Sequence, residues 1–388
     1  MNEAVIVGGG IGGLAAAVAL RRIGWQATVL ERAPEFGEVG AGLTLLANGM
    51  RALGSLGLAE AIRAAGTVDA SGGTRTASGR WISHVDGSEM ARRLGTTAMG
   101  IHRATLHRIL RDALPAESLI RATEVVGVNP ATGTVSWRRS GQTGSTTADL
   151  VVGADGINSA IREAVWPGAA RPVYQGSTAW RAVTADRWTG ELVVAISWGP
   201  GAEFGMVPLG DGRVYWYGAV NAPAGERAAD EWAAARAQFG GWHAPIPQLM
   251  AATDPAAVLR NDIYYLAPPL GSYVSDRVAL VGDAAHAMTP NLGQGANQAL
   301  EDAVVLAACL AGDTSTALTR YDAQRRPRTQ SVARASGRIG RFGQRLTNPV
   351  AVVARNAAMR MTPPGVALKS MVSVIDWQPP PLPDRDVP

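Results

Sequence analysis

A glycine-rich turn near the N-terminus constrains this chain more than any other feature. Residues Gly8-Gly9-Gly10-Ile11-Gly12-Gly13 place glycine at the first, third and sixth positions of a GxGxxG pattern. The turn follows a strand-like run, residues 4–7, and opens a helical pattern that ends at Gly24. In this pattern the first glycine allows a tight turn, the second lets the backbone approach a pyrophosphate, and the third lets helix and strand pack closely. The order of elements predicts a βαβ unit whose helix N-terminus faces an anion.

An acidic residue comes after the second strand of this unit. Glu31 lies directly after the strand-like run 27–30, at the distance from the glycines at which a carboxylate binds ribose hydroxyls. A lone GxGxxG is a weak signal, because glycine-rich turns are common. The strand, the helix and the acid together favour dinucleotide binding over a plain turn.

Two further strand-like runs end in a pair of aspartate and glycine. Residues 149–154 lead to Asp155-Gly156, and residues 277–281 lead to Gly282-Asp283. Such a pair alone is usually just a turn. The first pair therefore indicates little by itself, whereas the second gains weight from the loop after it.

This loop, residues 289–297, leads into a long helix and contains Gly293 and Gly295. A structural turn explains Gly282 but not the two glycines of the loop. The arrangement can aim the Asp283 carboxylate at the hydroxyls of a ribityl chain, while the loop amides and the helix dipole face a developing anion.

Together, residues 3–32, 150–162 and 277–306 resemble three motifs of the single-component FAD-dependent aromatic hydroxylases with the p-hydroxybenzoate hydroxylase fold. Relatives in this group include salicylate, 3-hydroxybenzoate and urate hydroxylases and the zeaxanthin epoxidases. The third motif is the most specific, and its matching residues are Gly282-Asp283-Ala284-Ala285-His286, Pro290, Gly293-Gln294-Gly295 and Glu301-Asp302. One departure is Ala47, where relatives commonly have proline, and it affects only the local shape of a loop near the flavin.

The resemblance implies an α/β fold in which a Rossmann-like FAD-binding domain is interleaved with a β-sheet substrate domain and followed by a helical C-terminus. We expect the FAD-binding domain in residues 1–70, 97–170 and 273–388. The substrate domain is expected in residues 71–96 and 171–272, where short alternating runs are separated by Gly, Pro and Asp turns.

The resemblance also implies which residues hold the cofactor. Glu31 would bind the adenosine ribose with Arg32 beside the adenine, and Arg103 would reach the phosphate or ribityl region. Asp155 would support both FAD and the pyridine nucleotide. The remaining cofactor residues implied are Gly8, Gly10, Ile11 and Gly13 at the pyrophosphate, Asp283 at the ribityl chain, and Gly293, Gly295, Ala296 and Asn297 near the flavin ring.

The expected activity is monooxygenation. Because only one dinucleotide fingerprint is present, NADH or NADPH would dock transiently as co-substrate. The family mechanism then implies reduction of FAD, addition of O2 to form a C4a-hydroperoxide, and hydroxylation of a small aromatic molecule. Epoxidation or Baeyer-Villiger oxidation by the same flavin chemistry is the alternative within enzymes, and a non-catalytic flavin-binding protein is the alternative outside them. Flavin-dependent halogenases are a poor match, since the Trp-x-Trp-x-Ile-Pro signature is missing.

The substrate pocket is expected under the predicted central sheet. Alternation in residues 213–218 puts Tyr215 and Tyr217 on one face, and we expect Tyr215 to line the pocket with Met206 from the neighbouring strand. Arg181 is a candidate contact for a carboxylate or a nicotinamide. Sheet packing and a surface ion pair explain these residues equally well when each is taken singly. The candidates for direct contact with the reacting atoms are Tyr215, Pro290 and Gly293.

Composition excludes several other classes. The 36 basic and 32 acidic residues form no dense basic block, so a nucleic-acid partner is disfavoured. The five histidines show no metal-ligand spacing, and His286 is expected to make a structural hydrogen bond rather than act as a general base. A single cysteine, Cys309, lies in an apolar run and fits a reducing compartment.

The chain shows no signal peptide and no apolar run long enough to span a membrane, so we expect it in the cytoplasm. We also expect a monomer or a homodimer. Four arginines recur at helical spacing and could form a basic stripe for a membrane surface, but a solvated helix face is the preferred interpretation. These arginines are Arg334, Arg338, Arg341 and Arg345.

Overall fold

The chain contains both helices and strands, as the computed structural model shows for residues 1–37, 41–69, 71–169 and 171–383. The strands in chain order are β1 (Glu3–Val7), β2 (Gln26–Leu30), β3 (Gly42–Leu45), β4 (Thr67–Asp69), β5 (Ser71–Thr76), β6 (Trp81–Asp86), β7 (Ala98–His102), β8 (Leu119–Ile120), β9 (Thr123–Asn129), β10 (Thr134–Arg139), β11 (Gln142–Thr147), β12 (Leu150–Gly153), β13 (Pro172–Val183), β14 (Ile196–Gly199), β15 (Ala202–Pro208), β16 (Val214–Asn221), β17 (Leu259–Leu266), β18 (Val274–Ser275) and β19 (Val278–Leu280). The α-helices are α1 (Ile11–Arg22), α2 (Ala47–Ser55), α3 (Ala59–Ala65), α4 (Gly87–Leu94), α5 (Arg103–Asp112), α6 (Ala160–Val165), α7 (Glu231–Phe239), α8 (Ile246–Ala251), α9 (Asp283–His286), α10 (Gly295–Leu310), α11 (Ala317–Phe342), α12 (Pro349–Met361) and α13 (Pro364–Ile375).

The first sheet is built around the predicted βαβ unit. Its strand order is β18-β19-β12-β1-β2-β8, and all neighbours are parallel except the edge strand β18. Val7 at the end of β1 pairs with both Leu30 and Gly153. Because parallel strands end at one edge of a sheet, this register brings the glycine turn, Glu31 and the segment after β12 together.

Helix α1 is buried on nearly every side, because it packs between this sheet and α10. Its middle is rich in alanine, and small side chains let two helix axes approach closely. The helix ends where Gly24 adopts a φ of +89° and the Trp25 N–H bonds the Leu20 carbonyl at 3.1 Å. This is the capping motif that a glycine after a helix predicts.

A second sheet of seven strands has the order β17-β13-β16-β15-β14-β5-β6. Strands β5 and β6 come from an early part of the chain and join strands that lie around and beyond its middle, so the two sheets are interleaved in sequence as expected. One face of this sheet packs on α7 and α8 through Phe204, Trp216 and Phe239, with the Phe204 and Trp216 rings stacked 5.4 Å apart. The exact domain boundaries remain a prediction, and residues 70, 170 and 384–388, where three predicted segments end, lie outside the described residues.

A small sheet, β3-β7-β4, packs against the second sheet at two glycine positions. A Cβ added at Gly42 in β3 would lie 2.5 Å from the Cβ of Tyr215 in β16. A Cβ added at Gly100 in β7 would lie 2.0 Å from the Pro208 carbonyl oxygen. A side chain at either position would overlap with the second sheet, so both positions require glycine.

The C-terminal part is helical, as expected, with α11 the longest helix and α12 and α13 packed against β6. Among the residues that the structure describes, no helix combines the length and the apolar character needed to cross a membrane.

A buried cluster of charges joins α10 to α11. The Arg325 side chain is 1% exposed and bonds Glu301 and Asp302, both fully buried. Burial raises the pKa of the Asp302 carboxyl, but His286 and Arg325 outweigh it and lower that pKa to about 2. The stability that this carboxylate contributes is therefore present above its unfolded pKa of about 3.9 and is lost as the pH falls through about 2.

Arg325→Met should lower the free energy of unfolding by about 3–5 kcal/mol, because it removes the only guanidinium among the described residues that pairs with both buried carboxylates, while Arg328 and His286 each reach just one of them. The neighbouring Arg326→Met is the control, since Arg326 is one-third exposed and pairs with Asp322 on the same helix. That variant should lose only about 0.5 kcal/mol. Urea unfolding at neutral pH measures both, and equal small losses would contradict a central role for the cluster.

Candidate functional site

The glycine turn is held by close backbone contacts on one side and is open on the other. Gly8 has a φ of +107°, and a Cβ there would lie 2.5 Å from the Ala154 carbonyl oxygen. A Cβ at Gly13 would lie 2.0 Å from the Gly8 carbonyl oxygen. A Cβ at Gly10 would have no atom of a described residue within 4 Å. Gly8 and Gly13 are thus required by the fold itself, whereas Gly10 leaves free space in front of the N-terminus of α1.

Glu31 is fixed beside this open space. Its two carboxylate oxygens accept hydrogen bonds from the Gly9 and Ala33 backbone N–H groups, each at 2.7 Å. On the other side of the turn, buried His107 places Nε2 2.7 Å from the Gly9 carbonyl oxygen, to which it donates. Sequence reasoning missed His107, although it lies one turn after the predicted cofactor residue Arg103 on α5.

A cavity of about 540 Å³ connects the turn to the second sheet. Arg103, the first residue of α5, lines its wall together with Arg181 of β13. Among the described residues, the lining consists of Gly9, Gly10, Glu31, Glu35, Phe36, Gly37, Ala41, Arg103, His107, Arg181, Leu259 and Asn261. The cavity therefore brings together the predicted cofactor residues Gly10, Glu31 and Arg103 and the predicted substrate residue Arg181.

These residues fit a dinucleotide such as FAD. The helix N-terminus beside Gly10 offers unpaired N–H groups, and the space there admits a phosphate. Arg103 adds positive charge, and Glu31 keeps acceptor capacity because each carboxylate oxygen can take more than one hydrogen bond. Arg32, by contrast, is exposed and does not line this cavity, and Ile11 is buried as the first residue of α1.

The loop before α10 is tied to the start of α2. The Asn297 side chain accepts from the Leu46 N–H at 3.0 Å and donates to the Thr44 and Gly293 carbonyls at 3.1 and 2.8 Å. Ala47, the departure from the family pattern, is the first residue of α2, a position where proline and alanine are both well accommodated. The departure therefore leaves the start of this helix intact.

The remaining residues of the third motif lie at the starts of two helices. Gly293 has a φ of +61° and comes after a 3-10 turn, Pro290–Leu292, in which Pro290 is exposed. Gly295 and Ala296 are half-buried in the first turn of α10. Asp283 is exposed at the start of α9, and no described residue bonds its carboxylate. His286 is buried against Asp302, in keeping with the structural hydrogen bond expected of it.

Asp155 serves the fold directly. Its carboxylate accepts from the Ser159 hydroxyl and from the Ile161 N–H at 3.1 Å, which fixes the start of α6. From that helix, buried Arg162 donates to the Ala284 carbonyl at 3.0 Å. The second and third motifs are thereby connected.

Two tyrosines and Arg181 share the face of the second sheet that is turned away from α7 and α8. Tyr217 pairs with Arg181 across the strands, and Tyr215 pairs with Val183 and Val207. Tyr215 packs with Val207 and with Ala41 of the cavity wall. Burial raises the pKa of Tyr215, and the cationic Arg181 and Arg103 oppose that rise.

Met206 does not belong to this face. It pairs with Trp216 and packs in the opposite layer with Phe204 and Phe239. The expectation that Met206 and Tyr215 line one pocket is therefore wrong, because directly paired residues of neighbouring strands share a face and Met206 is paired one residue away from Tyr215.

Glu203 is a buried acid on the tyrosine face that sequence reasoning missed. It lies two residues before Gly205, which pairs with Tyr217, so all three share one side of the sheet. Its carboxylate accepts one hydrogen bond from a described residue, Trp198 Nε1 at 3.2 Å. Burial raises the pKa of Glu203 to about 7, and the Trp198 bond opposes this only in part. A lone acid within the apolar run of β15 was the available signal.

Among the described residues, no group of three or more His, Cys, Asp or Glu side chains is arranged to hold a metal ion. The chemistry of the site must be sought in the cavity and the sheet face beside it.

Comparisons with known proteins agree on one family. Residues 1–336 match the family described as FAD binding domain. Aurachin C monooxygenase/isomerase of Stigmatella aurantiaca is 39% identical over 361 residues, covering 92% of this chain and 93% of the relative. The 3-amino-4-hydroxybenzoate 2-monooxygenase PtmB3 of Streptomyces platensis is 36% identical, covering 86% and 87%. The crystal structure of Klebsiella pneumoniae HpxO complexed with FAD and uric acid matches with a TM-score of 0.88 at 28% identity, covering 96% of each chain.

The likeness extends over both sheets and the C-terminal helices, since nearly the whole of each chain is covered. It confirms the resemblance inferred from the three motifs, the interleaved α/β fold and the FAD cofactor. This chain belongs to the FAD binding domain family and is an FAD-dependent monooxygenase.

Proposed function

We propose that this monooxygenase uses NADH or NADPH and O2 to hydroxylate an aromatic ring that carries an acidic N–H or O–H group. The observation that carries the proposal is the continuity between the cavity at the glycine turn and the sheet face that presents Arg181, Tyr215 and Tyr217. We also propose the cytoplasm as its compartment, where the nicotinamide co-substrate is available.

The proposed cofactor contacts follow the cavity wall. The N-terminus of α1 beside Gly10 binds the pyrophosphate, Glu31 the ribose, and Arg103 a phosphate or the ribityl chain. Exposed Asp283 accepts hydrogen bonds from the ribityl hydroxyls, and the amides of Gly293, Gly295 and Ala296 face the flavin ring. Asn297 acts indirectly, because its side chain is engaged in holding the loop to α2.

The proposed substrate contacts lie on the tyrosine face. FAD, when bound, supplies the electron transfer from the nicotinamide and the activation of O2. Arg181 and Tyr215 orient the ring, and buried Glu203 accepts the proton of its N–H or O–H group. Removing that proton raises the electron density of the ring, which is what an electrophilic oxygen atom requires. Tyr217 packs over Gly205 next to Glu203 and keeps water from the carboxylate.

The names of the relatives support this substrate class. One relative acts on 3-amino-4-hydroxybenzoate, and a solved structure with the same fold contains uric acid. An amino-hydroxy aromatic acid and uric acid share an aromatic ring with acidic hydrogens. A buried acceptor with a pKa near 7 is matched to remove such a hydrogen at neutral pH.

The test is anaerobic stopped-flow reduction by NADH and by NADPH, with a panel of phenols, aromatic acids, purines and quinolones. One class should accelerate flavin reduction and, when ¹⁸O2 is admitted, gain one labelled oxygen atom. The same class without its acidic hydrogen should be oxygenated poorly. If a substrate alone reduces the flavin while neither nucleotide does so, the protein is an oxidase or dehydrogenase and the proposal is wrong.

The glycine turn offers a paired test of the cofactor site. Gly10→Ala should change the free energy of unfolding by less than about 1 kcal/mol, since its Cβ meets no atom in the part of the chain that the structure describes. The same change should weaken FAD binding by about tenfold or more, because the methyl group stands where a phosphate approaches the helix. Gly13→Ala should instead destabilise the protein by about 1–3 kcal/mol, since its Cβ meets the Gly8 carbonyl. Thermal unfolding of the apoprotein and flavin-fluorescence titration measure the two effects. Normal FAD affinity in Gly10→Ala would remove this turn from the site.

Glu203→Gln tests the proton acceptor. Wild-type kcat/KM should rise with pH through about 7, as Glu203 ionises, and the variant should lose this rise and about a hundredfold of activity above it. Burial raises the pKa of Glu203 in the folded state above its unfolded value of about 4.3. The free energy of unfolding of the wild type should therefore fall as the pH rises from about 4.3 to about 7, and the variant should not show this fall. The matched control is Glu231→Gln, which removes another tryptophan-bonded carboxylate of this domain. An unchanged pH profile in Glu203→Gln would exclude the role.

A further inference from the structure

The charges of this chain are strongly segregated. Residues 323–375 contain ten of the 36 basic residues and none of the 32 acidic ones. The rest of the chain has 26 basic and 32 acidic residues and is therefore net acidic. This segment covers most of α11 and all of α12 and α13. The ten are Arg325, Arg326, Arg328, Arg334, Arg338, Arg341, Arg345, Arg355, Arg360 and Lys369.

The same segment concentrates exposed apolar side chains. Of the large apolar residues that the structure describes as exposed, seven lie between residues 339 and 371 and five in the rest of the chain. On α12, Val350, Val353 and Met361 are 78%, 68% and 77% exposed, and their spacing places them along one side of the helix. The other four are Ile339, Phe342, Val366 and Met371.

Two arginines anchor α12 to the body of the protein. Buried Arg355 donates to the Gly343 carbonyl at 2.7 Å, and Arg360 donates to the Trp81 carbonyl of β6 at 3.0 Å. The exposed valines are therefore held outward by a fixed helix. Arg334, Arg338 and Arg341 are also exposed, and none forms an ion pair with a residue in the described part of the chain.

We propose that the end of α11 with α12 and α13, here called the C-terminal surface, docks this enzyme onto an anionic lipid surface. Apolar side chains on a fixed helix would enter the boundary between headgroups and acyl chains, while unpaired arginines would bind lipid phosphates. The enzyme would lie on the membrane without crossing it.

The charge of the C-terminal surface favours an anionic lipid surface over a second copy of the chain as its binding partner. A two-fold symmetric contact through the C-terminal surface would place the same basic segment on both sides of the interface. With no acidic residue between positions 323 and 375, such a contact gains no opposite charge from that segment, whereas a bilayer of anionic lipid supplies it.

The experiment is sedimentation of the FAD-loaded enzyme with vesicles of phosphatidylcholine alone or mixed in equal parts with phosphatidylglycerol. Binding should occur to the mixed vesicles only and weaken with added salt. Arg334→Gln/Arg338→Gln/Arg341→Gln should lower the partition coefficient by about fivefold per arginine. Val350→Glu/Val353→Glu should abolish binding, whereas the control Val126→Glu, which alters an exposed valine of β9, should leave it unchanged.

Circular dichroism and flavin content show whether each variant is folded. Failure of the wild-type enzyme to bind mixed vesicles, or equal binding by the wild type and both C-terminal variants, would overturn the proposal. Analytical ultracentrifugation without vesicles provides a second arm. A homodimer that dissociates in Val350→Glu/Val353→Glu would assign this surface to self-association and contradict lipid docking.

Discussion

The fold and the site both depend on one buried guanidinium. Arg325 holds Glu301 and Asp302 of α10, and each carboxylate then extends the network to another element. Asp302 accepts from the Gly282 N–H, and Glu301 accepts from Asn48 of α2 at 2.6 Å. Burying three charges is costly unless every partner is present, so the cluster stabilises only the complete arrangement. The loops before α2, α9 and α10 are consequently fixed relative to one another.

The parts of the molecule that could be predicted are those in which the backbone conformation permits only one residue type. Gly8 must adopt a positive φ and Gly13 must admit a carbonyl oxygen, so both are visible as glycines in the sequence. The resemblance of three motifs, in this order, to those of a known family was enough to indicate the interleaved fold and the cofactor. The role of each individual site residue still rests on the proposed experiments.

The parts that could not be predicted depend on contacts between distant segments. Alternation correctly separated Tyr215 and Tyr217 from Trp216, but it does not give the register between β15 and β16, and a shift of one residue moves Met206 to the other face. His107 and Glu203 were missed for a related reason. Neither lies in a motif, and each gains its environment only when another strand or turn packs beside it.

The contact between Gly42 and Tyr215 has a thermodynamic consequence. Because β3 has no side chain at this position, the tyrosine ring of the substrate sheet rests directly on the backbone beside the cofactor cavity. A ligand in the cofactor cavity or on the tyrosine face that shifts the contact between Gly42 and Tyr215 therefore changes the free energy of binding at the other site. Such coupling is reciprocal, so the factor by which an aromatic ligand alters the affinity for flavin must equal the factor by which flavin alters the affinity for that ligand.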